Sequence, residues 1–431
     1  MQTSLQAIAN KANKDKKHRF RNLYTMLNRV NLEDSWRYMN RKASPGTDRK
    51  TVQDYERNFG ENIGDLVERL KQKRYRAKLI KRVNIPKGGG KTRPLGLPAL
   101  EDKLLQTAVS RILNAIYEED FLPCSFGYRP GKGPRMTTEA LGRELLYGKY
   151  DHIVEADIKG FFDNIDHDWL IRMLEMRIDD GAFLRLIRKW LKAGILETDG
   201  RVLHPATGTP QGGVISPVLA NLYLHHALDL WFEKAVKPRC VGAAYLCRFA
   251  DDFVCAFQFA RDAERFFRVL PKRLKKFSLE VAADKTQMIS FSRSNKGKTS
   301  FDFLGFEFRR GVSRKGKPIV KRRTSRKKLR TSLKNLNLWC KNRRHLRLPV
   351  FFRLLNSKLR GYYNYFGVPG NSERLGEFNQ HARRILYKWL NRRSQKRSFN
   401  WTVFAEILTH YRLEPPRIRK PGDVQFLLSL R

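Results

Sequence analysis

The stretch AYLCRFADDFVCAF, Ala244 to Phe257, sets two adjacent carboxylates, Asp251 and Asp252, in the middle of an apolar run. Apolar residues on both sides of a tight bend predict a hairpin of buried strands that carries the aspartates at its turn. Adjacent carboxylates in such a place repel, and taking them out of water costs several kcal/mol unless something compensates. A divalent cation is the natural compensation. Mg2+ takes oxygen ligands and arrives with phosphates, so a further carboxylate is wanted at a neighbouring strand end. Asp157 meets that need, because it closes the strand-like HIVEAD before a helix-like KGFFDNIDHDWL. Three aspartates from two strand ends would hold two metals about 4 Å apart, as in-line nucleotidyl transfer requires. Taken alone, the pair also suits a plain Asx turn between strands.

The chain around this point is strongly basic, with 87 Lys and Arg against 42 Asp and Glu and a formal net charge of +45. Such a field attracts polyanions, and an aromatic content of 11% offers surfaces on which bases could stack. Nucleic acid is therefore the expected partner, ahead of a ribosomal or membrane-surface role. With 41% apolar residues the 431-residue chain is globular, and it exceeds the ~250–300 residues at which a single core stops growing. Charge is unevenly placed. Arg309 to Arg347 holds 17 Lys or Arg and no Asp or Glu, which favours an external polyanion and predicts a boundary near 308.

Before that boundary, KRVNIPK and TRPLGLP alternate as a strand pair around GGGK, while DKLLQTAVSRILNAIYEEDF and DWLIRMLEMRI have helical spacing. This is an α+β pattern. After it, LPVFFRLLNSKLRGYYNYFG and LGEFNQHARRILYKWLNRR read as helices separated at GVPGN. The five cysteines form no CxxC pair, against a zinc ribbon or disulfide framework. No run of 18 apolar residues and no cleavable leader pattern occurs, so a soluble chain kept in its compartment of synthesis is expected.

FADD at Phe249–Asp252 resembles the Tyr-Ala-Asp-Asp box of reverse transcriptases, and the order of motifs resembles the bacterial group II intron-encoded reverse transcriptase, or maturase. IPKGGGKTRPLGLPALEDKLLQ, SFGYRPGKG, ADIKGFFDNIDHDWL, GTPQGGVISPVLANLYLH, LEVAADKTQ, FLGFEF and KLRGYYNYF follow in family order. The resemblance implies a right-hand polymerase of α+β class. Its expected parts are a basic N-terminal extension (1–60), fingers and palm (61–308), a helical thumb or maturase domain (309–395) and a short basic C-terminal segment (396–431). It implies RNA-templated extension of a DNA or RNA primer with dNTPs and two Mg2+ ions, Mn2+ being an alternative, in a bacterial cytoplasm and away from membranes.

Residue by residue, the resemblance implies metal binding by Asp157, Asp251, Asp252 and the Ile158 backbone. Lys87 and Arg93, flanking a glycine turn, would fold over the triphosphate, unless they belong to an ordinary basic hairpin. Phe162 would lie under the sugar and exclude a 2'-hydroxyl, with Phe161 in the core. Gln211 would touch the nucleotide, Gly212 and Gly213 would let backbone approach the template, and Lys285 would protonate the leaving pyrophosphate. Arg322, Arg323, Lys327, Lys328 and Arg360 would contact nucleic acid, as would Tyr362 and Tyr365 unless these tyrosines pack in the core. Phe249 replaces the family's Tyr, which bears on fidelity and rate, and Arg49 replaces a preferred Gly in SPGTDRKTV. No Cys- or His-rich segment follows the thumb motif, so cleavage of target DNA is not expected. Two rival roles remain open: a splicing cofactor with polymerisation secondary, and a domesticated enzyme of repair or phage defence.

Overall fold

The computed structural model describes residues 4–88, 91–292, 299–313, 315–393 and 398–419. Its strands in chain order are β1 (Ile80–Gly88), β2 (Lys91–Leu97), β3 (His152–Ala156), β4 (Ile195–Leu196), β5 (Val202–Leu203) and β6 (Ala244–Phe249). They continue with β7 (Asp252–Phe257), β8 (Gln287–Ser290), β9 (Ser300–Phe303), β10 (Phe306–Val312) and β11 (Pro318–Thr324). They form three sheets, ordered β2-β1-β4-β5, β6-β7-β3-β8 and β11-β10-β9.

The central sheet is antiparallel throughout and is covered on both faces. That explains why its strands are apolar runs rather than alternating ones. Along β7, Phe253, Cys255 and Phe257 enter one core with Phe266 and Leu270 of the helix Ala260–Lys275. Val254 and Ala256 point the other way, into a second core with Leu141 and Leu145 of the helix Pro134–Tyr147. The first core also takes Ile8, Leu32 and Trp36 from the N-terminal helices Leu5–Lys14 and Arg29–Trp36, which lie on the helix Leu100–Tyr117. These two helices of the basic N-terminal region are thus packed against the rest.

The second core continues into the helices Arg326–Arg343, Leu348–Phe366, Ser372–Leu390 and Trp401–His410. The change of charge near residue 308 falls inside β10, whose two neighbours in the sheet lie on either side of it in sequence. Charge and packing diverge there because Phe306 and Phe308 face the core while Arg309 and Arg323 lie on the outer side of the same sheet. Beyond His410 the chain returns along the thumb: Asn356 Nδ2 donates to the carbonyls of Tyr411 and Arg412 at 3.1 Å, and Arg419 N donates to Gly367 O at 2.9 Å. Among the described residues no helix is long and apolar enough to cross a membrane.

Candidate active site

Strand ends bring the three aspartates together at one edge of the central sheet. β6 and β7 close on the pair Phe249 and Asp252, leaving Ala250 and Asp251 as the turn. Ala250 has a φ of 58°, a left-handed conformation that costs an alanine about 1–2 kcal/mol. β3 pairs with β7 as far as Ala156 and Phe253, so the next step of the register sets Asp157 opposite Asp252. Lys285 Nζ donates to Asp157 Oδ2. Ala282 N donates to Asp157 O at 2.8 Å and Lys159 N to Glu280 O at 2.9 Å. In an antiparallel bridge these bonds turn the Ile158 carbonyl away from that segment.

Desolvation raises the Asp251 carboxyl, and the charge of Asp157 adds to the rise, against the lowering effect of Arg93 and Lys285. Asp252 is pushed up to about 6 by desolvation first, then by Asp251 and Asp157, although it stays exposed along the cleft. Carboxylates this poorly compensated are a donor set for a hard divalent cation. Among the described residues no three His, Cys, Asp or Glu side chains close into a ready cage. Mg2+ does not need one, because it usually keeps water and takes one or two carboxylates plus substrate phosphates.

Around the aspartates lie several of the residues expected at a nucleotide. Phe162 sits in a single helical turn, Phe161–Asp163, and the α-helix begins only at His167. The continuous helix expected from KGFFDNIDHDWL is interrupted because Gly160 adopts a φ of 54° and Asp166 caps the helix by accepting from Trp169 N at 2.9 Å. Phe161 is 2% exposed in the core, and Phe162, 7% exposed, meets the ring of Tyr128 edge-on at 6.2 Å. The loop ahead of TPQGG braces this turn: Thr209 N donates to Phe162 O at 2.8 Å and Gly208 N to Ile165 O at 2.7 Å. Arg93 Nε donates to Gln211 Oε1 at 2.9 Å, and Gly96 N donates to Gln211 O at 2.6 Å.

Gly212 has a φ of 107°, and a Cβ there would stand 2.7 Å from Gly96 O. Its close approach is to β2. Gly213 is buried, with Ser216 Oγ 2.7 Å from where its Cβ would lie. The Lys87 side chain lies outside the described residues.

In the thumb, the fold itself engages most of the expected contacts. Tyr362 stacks on Phe378 at 3.7 Å, Tyr365 donates to Leu304 O at 2.9 Å, and Arg360 pairs with Glu414 at 3.0 Å. Burial lifts the Tyr365 hydroxyl to about 12, and the charge of Asp252 contributes, so this tyrosine is within electrostatic reach of the aspartates. Arg323 forms a two-pronged pair with Glu307 at 2.8 and 3.1 Å, and Arg322 is half-buried against Gly142. Lys327 and Lys328 are exposed. Arg309, Arg323, Arg326, Lys327 and Arg330 line an open cavity of about 800 Å3 beside Asp302 and Glu307.

Sequence reasoning missed three features of the site. Tyr128 covers Phe162 and is subject to the charges of Asp251, Arg93 and Asp252. Gly127 packs so closely under the turn that a Cβ would lie 2.2 Å from Ala250 N. Arg248, next to FADD, is fully buried. The Gly127 contact is with backbone that cannot rotate aside, so Gly127→Ala is expected to displace the turn and lower nucleotide incorporation by about 10²-fold, the cost of a misplacement of about 1 Å. Single-turnover extension with the Tm measured alongside checks this; near-normal turnover would show that the turn tolerates the shift.

An antiparallel sheet with three aspartates at its strand ends, a separate strand hairpin and a helical C-terminal region make up the architecture of a right-hand polymerase. Residues 85–308 match the family model of the reverse transcriptase (RNA-dependent DNA polymerase), and residues 320–405 match that of the group II intron maturase-specific domain. The chain belongs to the reverse transcriptase family. It is 28% identical to the group II intron-encoded protein LtrA of Lactococcus lactis subsp. cremoris, over 74% of this chain and 65% of that protein. It is 32% identical to protein YkfC of Escherichia coli (strain K12), over 59% of this chain and 73% of that protein. A 91 kDa protein in the cob intron of Schizosaccharomyces pombe is 39% identical over 40% of this chain and 21% of its own length. The chain thus spans less than two thirds of the length of LtrA. Members of the reverse transcriptase family generally use divalent metal ions.

Proposed function

We propose that the chain is an RNA-directed DNA polymerase of the group II intron type, joining a primer 3'-hydroxyl to the α-phosphate of a dNTP on an RNA template. The observation that carries this reading is the register that sets Asp157 opposite Asp252, with Asp251 on the strained turn between them. Asp157 and Asp251, with Asp252 and the Ile158 carbonyl in support, would hold two Mg2+ ions, or Mn2+ in their place. The bound ions supply charge stabilisation at the reacting phosphate. Arg93, held by Gln211, extends a cation from the fingers toward the triphosphate, and Phe162 under Tyr128 forms the wall beside the sugar. Lys285 is held above its ordinary range by its hydrogen bond to Asp157, so it stays charged beside the reacting centre.

Extension of a labelled primer on an RNA template with dNTPs and Mg2+ tests the reading. Absence of templated product across primer types and metal concentrations would overturn it.

A second role, binding a structured intron RNA in aid of splicing, is favoured by the match of residues 320–405 to the maturase-specific domain and by the basic cavity on the outer side of β10. If Arg326, Lys327 and Arg330 neutralise phosphates there, replacing all three by Ala should flatten the log affinity against log salt line by roughly 2 to 3 units. Filter binding of a structured RNA from low to high salt checks it, and an unchanged slope means that these side chains face only water.

A further inference from the structure

Among the described residues Arg248 is the largest side chain that is wholly shielded from water, and it lies two residues before the turn that carries Asp251. Its guanidinium has five N–H groups, and each finds a partner. Nε donates to Asp229 Oδ1 at 2.7 Å and Nη2 to Asp229 Oδ2 at 2.6 Å, a two-pronged pair in which both side chains are 0% exposed. Nη2 also donates to Ser125 Oγ at 2.7 Å, and Nη1 donates to Asn221 Oδ1 and to Ala250 O, each at 3.1 Å.

The last of these bonds matters most. Ala250 is the residue with the left-handed φ, and its carbonyl belongs to the peptide plane that launches Asp251. Asn221 closes the arrangement from below, because its Nδ2 donates at 2.6 Å to the carbonyl of Gly127, the glycine that packs under Ala250 N. The backbone repeats the pattern: Arg248 N donates to Cys124 O at 2.8 Å, and Phe126 N donates to Arg248 O at 2.9 Å. One side chain thereby ties the segment Cys124–Gly127, the helix residue Asn221, Asp229 and the aspartate turn into a single frame.

We propose that Arg248 is a positioning residue for the polymerase reaction, holding the left-handed turn at Ala250 so that Asp251 and Asp252 face Asp157 in the geometry that takes divalent metal. This rests on the functional reading above. The ion pair with Asp229 keeps the guanidinium charged inside the protein, and the two remaining donors on Nη1 are what the turn and Asn221 use. Lysine cannot substitute, since a point charge with three donors cannot hold a carboxylate with two prongs and reach Asn221, Ser125 and Ala250 as well.

The test uses the full chain and two readouts: free Mn2+ by electron spin resonance during titration of the protein alone, and single-turnover primer extension. Arg248→Lys keeps the charge opposite Asp229 but withdraws the donor from Ala250 O. Its Mn2+ affinity is expected to fall about 10-fold or more, as for loss of a group supporting metal ligands. The extension rate should fall by roughly 10- to 100-fold, with primer–template Kd little changed. Should that variant not fold, Arg248→Met with Asp229→Leu replaces the pair by apolar groups of similar size and equally leaves Ala250 O without its donor.

Leu66→Ala, in a fully buried position of the helix Phe59–Lys71 outside this frame, supplies a control of lowered Tm. Variants that melt lower, as this control does, yet bind Mn2+ and extend primers as the wild type does would overturn the proposal and leave Arg248 as core scaffolding. If the wild type holds Mn2+ at the aspartates but makes no templated product, the polymerase reading fails, while the Mn2+ titration still decides the role of Arg248. A wild type that holds no Mn2+ there overturns both.

Discussion

Alanine at Asp157 or Asp251 is expected to reduce templated dNTP incorporation by at least about a thousandfold while RNA affinity changes by only a few fold. A metal centre supplies several kcal/mol of charge stabilisation to a phosphoryl transition state, and each ~1.4 kcal/mol is tenfold in rate. RNA affinity, in contrast, comes from phosphate contacts distributed over a basic surface. Asp252→Ala should cost less, because Asp252 begins a strand at the open side of the cleft, whereas Asp251 occupies the turn that Arg248 and Gly127 hold in place. Single-turnover extension and filter binding on the same preparations measure the two quantities. Extension by Asp251→Ala within tenfold of the wild type would remove the metal-site reading.

The same carboxylates have a stability signature. Asp252 is raised from its ordinary 3.8 to about 6, so between these values the folded chain binds more protons than the unfolded one. Its contribution is present in full below the lower value and is lost as pH rises through about 6. In metal-free buffer, Asp252→Asn should therefore gain Tm relative to the wild type as pH rises through that window. Added Mg2+ should stabilise the wild type more than the variant, which keeps Asp157 and Asp251. Parallel Tm curves for the two proteins across that range would show that the cleft does not desolvate Asp252.

What could be read from the chain alone was what lies close in sequence. The apolar runs on either side of Asp251 and Asp252, the strand ending at Asp157 and the fingers hairpin around GGGK are local patterns, and each forms as its pattern requires. The frame beneath the turn is not local. Asp229, Asn221 and Ser125 lie 19, 27 and 123 residues from Arg248, and none carries a periodic signal. Arg248 itself looks like a polar position in a strand until its donors are counted. An arginine set inside an apolar run was the available clue, since such a charge, once buried, requires a partner. Ion pairs in the C-terminal part are equally non-local: Glu414 meets Arg360 and Glu307 meets Arg323 from other elements, with no local pattern to announce either pair.

Truncation of Phe162 should separate a DNA-making enzyme from one indifferent to the sugar. Its ring stands five positions beyond Asp157, held by Thr209 N on its carbonyl and by Tyr128 on its edge, with Asp251 and Asp252 close enough to act on that tyrosine. A nucleotide whose phosphates reach the aspartates would lay its sugar against this ring, where a 2'-hydroxyl would clash or push the α-phosphate out of line. Because a shift of about 1 Å can cost ~10²-fold, relieving it should return a comparable factor to ribonucleotides. Phe162→Val is thus expected to narrow the preference for dGTP over GTP opposite template C by about one to two orders of magnitude, with dGTP use falling less. Phe161→Ala should behave differently: that ring is 2% exposed beside Tyr223, so its loss should cost about 3–5 kcal/mol of stability and leave the ratio unchanged. Single-nucleotide incorporation by both variants distinguishes the two rings. If Phe161 governs the ratio, the sugar lies one residue away from where the register sets it; if neither does, discrimination belongs to another wall of the cleft, and Tyr128, which covers Phe162, becomes the next residue to truncate.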